Sequence, residues 1–178
     1  MKSLIRFAVL TSICCLLSPA PIPAQEEAPP APDDKKTYLF QVVLVIGDNT
    51  GGPSSNDVPK NAQNALDDIR DFLPFKNYRL LDTALLRSSH VVEGLLAGPD
   101  GSDYGVRINF DVSNFEGTRL HVRSFDMTAP HRDESQRVGR RQVLATSFSV
   151  DVGETLVVGS SKLDGSGKAL IVLFTVVQ

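Results

Sequence analysis

The 178-residue chain has no tryptophan, three tyrosines and an aromatic content of only 7 %. Sugar sites rely on aromatic platforms, so a glycan receptor is poorly supplied here. Both cysteines, Cys14 and Cys15, fall within the first fifteen residues. Basic residues are in deficit, 18 against 21 acidic, giving a net charge of −3. A nucleic-acid backbone requires clustered Lys and Arg, so nucleic acid is not an expected partner. What is present is ordinary for a folded chain. Hydrophobic residues make up 42 % and charged residues 22 %, which excludes a wholly disordered protein. The length is that of a single domain.

Residues 1–24 read as a cleaved secretory signal. Lys2 and Arg6 form a positive start, and Phe7 to Leu17 is an apolar core. That core is shorter than the roughly 20 residues needed to span a bilayer. Ser18 to Pro23 breaks a helix, and Ala24 supplies the small residue for cleavage. A lipid anchor on Cys14 or Cys15 is the competing reading. Ile13 and Cys14 precede those two cysteines, where a lipidation site needs a small residue, so the secretory reading is preferred. Cleavage lowers the basic count from 18 to 16 against 21 acidic residues, a net charge of −5. It also removes both cysteines. The mature chain is then expected to have no disulfide, no thiolate metal site and no cysteine nucleophile. Gln25 to Lys36 (QEEAPPAPDDKK) follows as a Pro-rich acidic linker with three prolines and six charges. Residues 37–178 form the expected single domain.

Hydrophobic periodicity then assigns the elements. Tyr38 to Ile46 is apolar at nearly every position, as in a strand covered on both faces. Asp57 is a good helix N-cap, and Pro59 suits a first turn. Val58, Ala62, Ala65, Ile69 and Phe72 recur at helical spacing up to Pro74. Strand patterns follow at Tyr78–Ser88, His90–Ala97, Tyr104–Val112, Thr118–Phe125, Gln142–Val152, Thr155–Ser160 and Lys168–Val177. Asp126 to Val138 reads as a polar loop. The expected class is α+β: a predominantly antiparallel sheet of about eight strands, with one amphipathic helix in a β-α-β opening. The sheet is either one long sheet or a two-layer sandwich, with the helix over one face.

Several stretches bear a superficial likeness to reactive motifs. GSSKLDGSGK (Gly159 to Lys168) lacks the first glycine of a phosphate-binding loop, where Lys162 stands, and Ala169 follows Lys168 in place of Ser or Thr. It reads as a hairpin turn. GDNTGG (Gly47 to Gly52) lacks the GxGxxG of a dinucleotide site. No GxSxG elbow occurs, and Ser88, Ser89 and His90 alternate across a strand. His121, Asp126, His131, Asp133 and Glu134 have metal-ligand side chains, but Arg123 and Arg132 would set positive charge beside a cation. His121, His131 and Asp133 are the candidates that remain for a metal. Arg137, Arg140 and Arg141 form one basic patch, the candidate interaction residues. No catalytic residue and no cofactor is assigned.

Near the end, Val152-Gly153-Glu154-Thr155-Leu156-Val157-Val158-Gly159 follows the alternating Phe148 and Val150 and precedes the strand Ala169 to Val176. Gly153 permits a turn, Thr155 opens a strand, and Gly159 admits a bend or bulge. This segment, Phe148 to Val176, resembles the closing β-hairpins of bacterial secretins, where a Gly turn leads into Gln-Thr and Val-Val-Gly-Gly. Glu154 stands in place of Gln, and Ser160 in place of the second Gly. The β-α-β opening also resembles the small periplasmic ring modules of such machines. The resemblance implies an association with secretion or pilus machinery. Taken together, the expectation is an exported, periplasmic or outer-membrane-associated, non-enzymatic module of the bacterial cell envelope. Its partner would be an envelope protein or a second copy, with peripheral membrane association open. The alternative is a secreted hydrolase using His121, His131 and the acidic loop, with or without a metal.

Overall fold

The computed structural model describes residues 36–49, 57–111, 119–132, 138–163 and 167–177. Residues 1–35, with the expected signal segment and nearly all of the expected linker, lie outside them. The described chain runs β1 (Tyr38–Asp48), α1 (Lys60–Asp68), a 3₁₀ turn (Arg70–Phe72), β2 (Asn77–Ser88), β3 (Val91–Ala97), β4 (Asp103–Asp111), β5 (Arg119–Arg132), β6 (Val138–Asp151), β7 (Thr155–Lys162) and β8 (Ala169–Val177). The class is the expected one, a mostly antiparallel β protein with one helix.

The strands form two four-stranded sheets, sheet A in the order β2-β1-β8-β7 and sheet B in the order β3-β4-β5-β6. Every ladder is antiparallel. Strand β2 borders β3, and β6 borders β7. The strands therefore follow one another round the molecule in chain order, and β8 closes on β1. Glycines make both seams possible. A Cβ on Gly94 would lie 2.7 Å from Cδ2 of Leu86, and one on Gly159 would lie 2.5 Å from Cδ1 of Leu144. At each seam a leucine from one sheet thus lies against a bare backbone of the other. Asp82 adds a polar tie, accepting the Ala97 amide at 2.7 Å across the β2–β3 seam.

The interior between the sheets is aromatic. Phe40, Phe110, Phe125 and Phe174 are fully buried there. Phe40 meets Phe110 edge-on at 4.8 Å and stacks on Phe174 at 5.5 Å. A second, smaller core lies on the other side of sheet A, where Val43, Val45, Ile171 and Leu173 meet Val58, Ala62 and Leu66. This explains the unbroken apolar runs of β1 and β8: both faces of each strand are covered.

Two elements differ from expectation. The helix is shorter, and Phe72 is 85 % exposed. Of the expected set, Val58 and Ala62 are buried and Ala65 packs partly buried against the same core, but the stripe continues at Leu66 and not at Ile69 and Phe72. After Asp68 the backbone tightens into the 3₁₀ turn, which rotates the later residues off the sheet. The helix N-cap is Pro59, not Asp57, and no side chain caps it. The other difference concerns Asp126 to Arg132, expected in a loop. These residues continue β5 and pair with Val138 to Ala145 on β6. Their polar side chains alternate with the buried Phe125, Met127 and Ala129, so half of the segment still faces the core.

Candidate functional site

Sheet A carries α1 on its outer face. Among the described residues no helix covers the outer face of sheet B. Alternation along β3, β4, β5 and β6 brings Glu93, Leu95, Arg107, Asp126, Arg140 and Gln142 onto it, around a depression of about 610 Å³. Gly105 provides the floor. A Cβ there would stand 2.8 Å from Nη2 of Arg140 and 3.0 Å from Oγ1 of Thr128. The absent side chain is what lets the Arg140 guanidinium lie flat across the strand.

Arg140 is held in that place by three hydrogen bonds. Its Nε donates to Thr128 Oγ1 at 2.8 Å, and Nη2 donates to the carbonyls of Asp103 at 3.0 Å and Thr128 at 3.2 Å. Gln142 Nε2 donates to Asp126 Oδ1 at 2.9 Å. Arg107 faces Glu93 across the β3–β4 ladder at 3.5 Å, with both side chains about two-thirds exposed. Two guanidiniums are thus set against two carboxylates. The face is nearly neutral, rich in ordered donors and acceptors, and flanked by the exposed Leu95.

The expected site residues do not converge. Arg140 lies on the outer face of sheet B, while Arg141, one residue on, lines a hollow at the end of the sandwich. Arg137, Asp133 and Glu134 lie outside the described residues. His121 is exposed near the start of β5, with Nδ1 3.2 Å from Ser149 Oγ. His131 is exposed ten residues further along the same strand, about 30 Å away at strand rise. The two imidazoles therefore cannot act on one substrate atom. Among the described residues no group of three or more His, Cys, Asp or Glu is gathered as for a metal ion. Arg123 is paired with the nearly buried Asp111. Ser88 is used in a turn, where its Oγ donates to the Val91 carbonyl at 2.7 Å.

The residues of the closing motif have structural surroundings. Gly153 has φ +89° at the β6–β7 turn, a conformation that glycine adopts without strain. A bulge interrupts the β7 register between Val157 and Gly159, and Gly159 sits at the β6–β7 seam. Thr155 Oγ1 is 2.7 Å from Thr175 Oγ1 across β7 and β8. Asn61 of α1 reaches this pair: its Nδ2 lies 3.2 Å from each threonine oxygen and 2.9 Å from Gln41 Oε1. That amide pins the helix to sheet A. Sequence reading missed Asn61, since nothing local distinguishes it from its polar neighbours. It also missed Gly105, although a lone glycine inside a cleanly alternating strand is a recognised sign of close approach.

The chain matches no protein-family model, no curated protein and no solved structure.

Proposed function

We propose that the chain is an exported, non-enzymatic protein-binding module of the bacterial cell envelope, and that the outer face of sheet B is the surface it presents. The observation that carries this reading is the asymmetry of the two sheets: one outer face is covered by the chain's own helix, the other has no helix over it among the described residues and is ordered by Arg140 over Gly105. Strand addition at a sheet edge is not favoured, because β2 faces β3 and β6 faces β7, which leaves those edges poorly accessible. Recognition is by the face. The signal-like start and Pro-rich linker support export and tethering, and the resemblance of Phe148 to Val176 to secretin hairpins supports a place beside secretion or pilus machinery.

Two measurements test the reading. N-terminal sequencing of the protein recovered from cell envelopes is expected to begin at Gln25; a chain still starting at Met1 in the cytoplasm contradicts export. Light scattering after size exclusion, with crosslinking in intact envelopes, is expected to give a defined hetero-complex or a symmetric homo-oligomer. A monodisperse monomer with no crosslinked partner contradicts the binding role.

A further inference from the structure

A second hollow, of about 490 Å³, lies at the end of the sandwich where β1 and β7 finish and β2, β6 and β8 begin. It shares no residue with the sheet B depression. Four basic residues line it, Arg79 of β2, Arg141 of β6, Lys162 of β7 and, just before β8, Lys168; pairing with Ile46 and Ala129 sets Arg79 and Arg141 on the inner side of their strands, whereas Lys162 pairs with Ala169 on the side away from Leu170. In a chain with a net charge of −3, this concentration of positive charge runs against composition. Among the described residues the one carboxylate lining it is Asp100. One of that carboxylate's oxygens already accepts from the Ser102 amide and hydroxyl, and these bonds hold its pKa below the usual carboxylate value.

The wall beneath the cations is apolar. Ile46, Tyr104 and Leu170 line it and are buried. Burial pushes the Tyr104 phenol pKa up, the negative charge of Asp100 adds to that rise, and the positive charge of Arg141 works against it, which puts both charged groups within electrostatic reach of the ring. Tyr104 and Leu170 belong to the same core as the fully buried Phe40, Phe110, Phe125 and Phe174. The volume is in the range of small-molecule sites. Like charges brought together on a low-dielectric wall repel one another and attract a counter-charge.

We propose that this hollow binds a small amphipathic anion, a carboxylate or phosphate head on a short apolar body. The head meets Arg79 and Arg141, and the body lies on Ile46, Leu170 and Tyr104. The site is independent of the protein-binding face.

Isothermal titration of the purified chain tests this with decanoate and octyl phosphate, both below their micelle concentrations. Octyl glucoside, inorganic phosphate and vesicles of anionic phospholipid serve as comparisons. The expected result is saturable one-to-one binding of at least one amphipathic anion, with octyl glucoside and inorganic phosphate at least tenfold weaker. Which of the two amphiphiles binds more tightly distinguishes a carboxylate from a phosphate source. Arg141→Gln is expected to weaken binding about tenfold, as for loss of one charge-assisted contact. Arg141→Lys is expected to stay within a few-fold, and Arg87→Gln, on an exposed residue at the far end of β2, to have no effect. Raising salt from about 0.05 to about 0.5 M is expected to weaken binding several-fold. Each variant is checked by thermal melting, and the Lys variant keeps the test decisive if the Gln variant fails to fold. The proposal is overturned by equal binding of octyl glucoside or inorganic phosphate, by binding to vesicles alone, or by affinity indifferent to Arg141→Gln.

Discussion

Gly105 and Arg140 act as a pair, and their energetics separate surface from fold. A valine at 105 displaces the guanidinium from Thr128 and Asp103. Exposed hydrogen bonds such as these three, whose partners are readily re-solvated, contribute at the low end of the usual range, about 0.5 kcal/mol each, while replacing a strand glycine returns about 0.5–1 kcal/mol. Gly105→Val is therefore expected to change stability by no more than about 1 kcal/mol in urea unfolding, while reshaping the sheet B depression. A loss of several kcal/mol would show that Arg140 belongs to the framework of the fold. Titration provides a second expectation at this scale. Burial raises the pKa of Tyr38, Tyr78 and Tyr104 above 10.0, and these are all the tyrosines of the chain. The folded state then holds its phenol protons more tightly than the unfolded state. The associated stability is fully present below pH 10 and is lost as pH rises through the folded-state values. Denaturant midpoints measured from about pH 9 to about pH 12 should fall over that interval, and absorbance titration of phenolate should lag in folded protein. Phenolate appearing at the free-tyrosine pH in the folded chain contradicts this.

At the scale of single elements, α1 shows what local sequence does and does not determine. Helical spacing and the strand-like stretch that follows Pro74 are readable directly, because both are properties of neighbouring residues. Which stripe is buried is decided by sheet A. Val58, Ala62 and Leu66 fit over Val43, Val45, Ile171 and Leu173, and Asn61 finds Gln41, Thr155 and Thr175, which lie far away in the chain. Leu66→Ala is expected to cost about 2–5 kcal/mol, as for other buried leucines. Phe72→Ser is expected to change stability by less than about 0.5 kcal/mol, since its ring is in solvent. Paired thermal melts check both, and the reverse order would restore the longer helix that spacing alone predicts. The extension of β5 through Asp126–Arg132 was hidden for a related reason. Its polar residues face outward over a strand that is half buried, and their density resembles that of a loop. The candidate site was less legible still. Arg140 and Arg141 are adjacent in sequence, yet alternation sends them to different surfaces, and His121 and His131 share a strand without sharing a place.

For the whole molecule, the consequence of the fold is a division of labour between two sheets. Sheet A is covered on both faces and holds the chain together. Sheet B buries one face on the phenylalanine interior and leaves the other to solvent. The seams at Gly94 and Gly159 bring the sheets edge to edge. Gly159→Val is expected to drive Leu144 out of its position and cost about 1–3 kcal/mol, measured as a lowered urea midpoint; an unchanged midpoint would show that the seam is loose. The outer face of sheet B remains the surface on which the proposed function rests. Photo-crosslinking in intact cells, with a photoreactive residue placed in turn at Leu95, Arg107 and the exposed Asn64 of α1, tests it most directly. Positions 95 and 107 are expected to yield the same discrete crosslinked species in the envelope, and position 64 none. Crosslinks from position 64 alone, or equal and diffuse products from all three, would contradict the assignment of sheet B as the binding face.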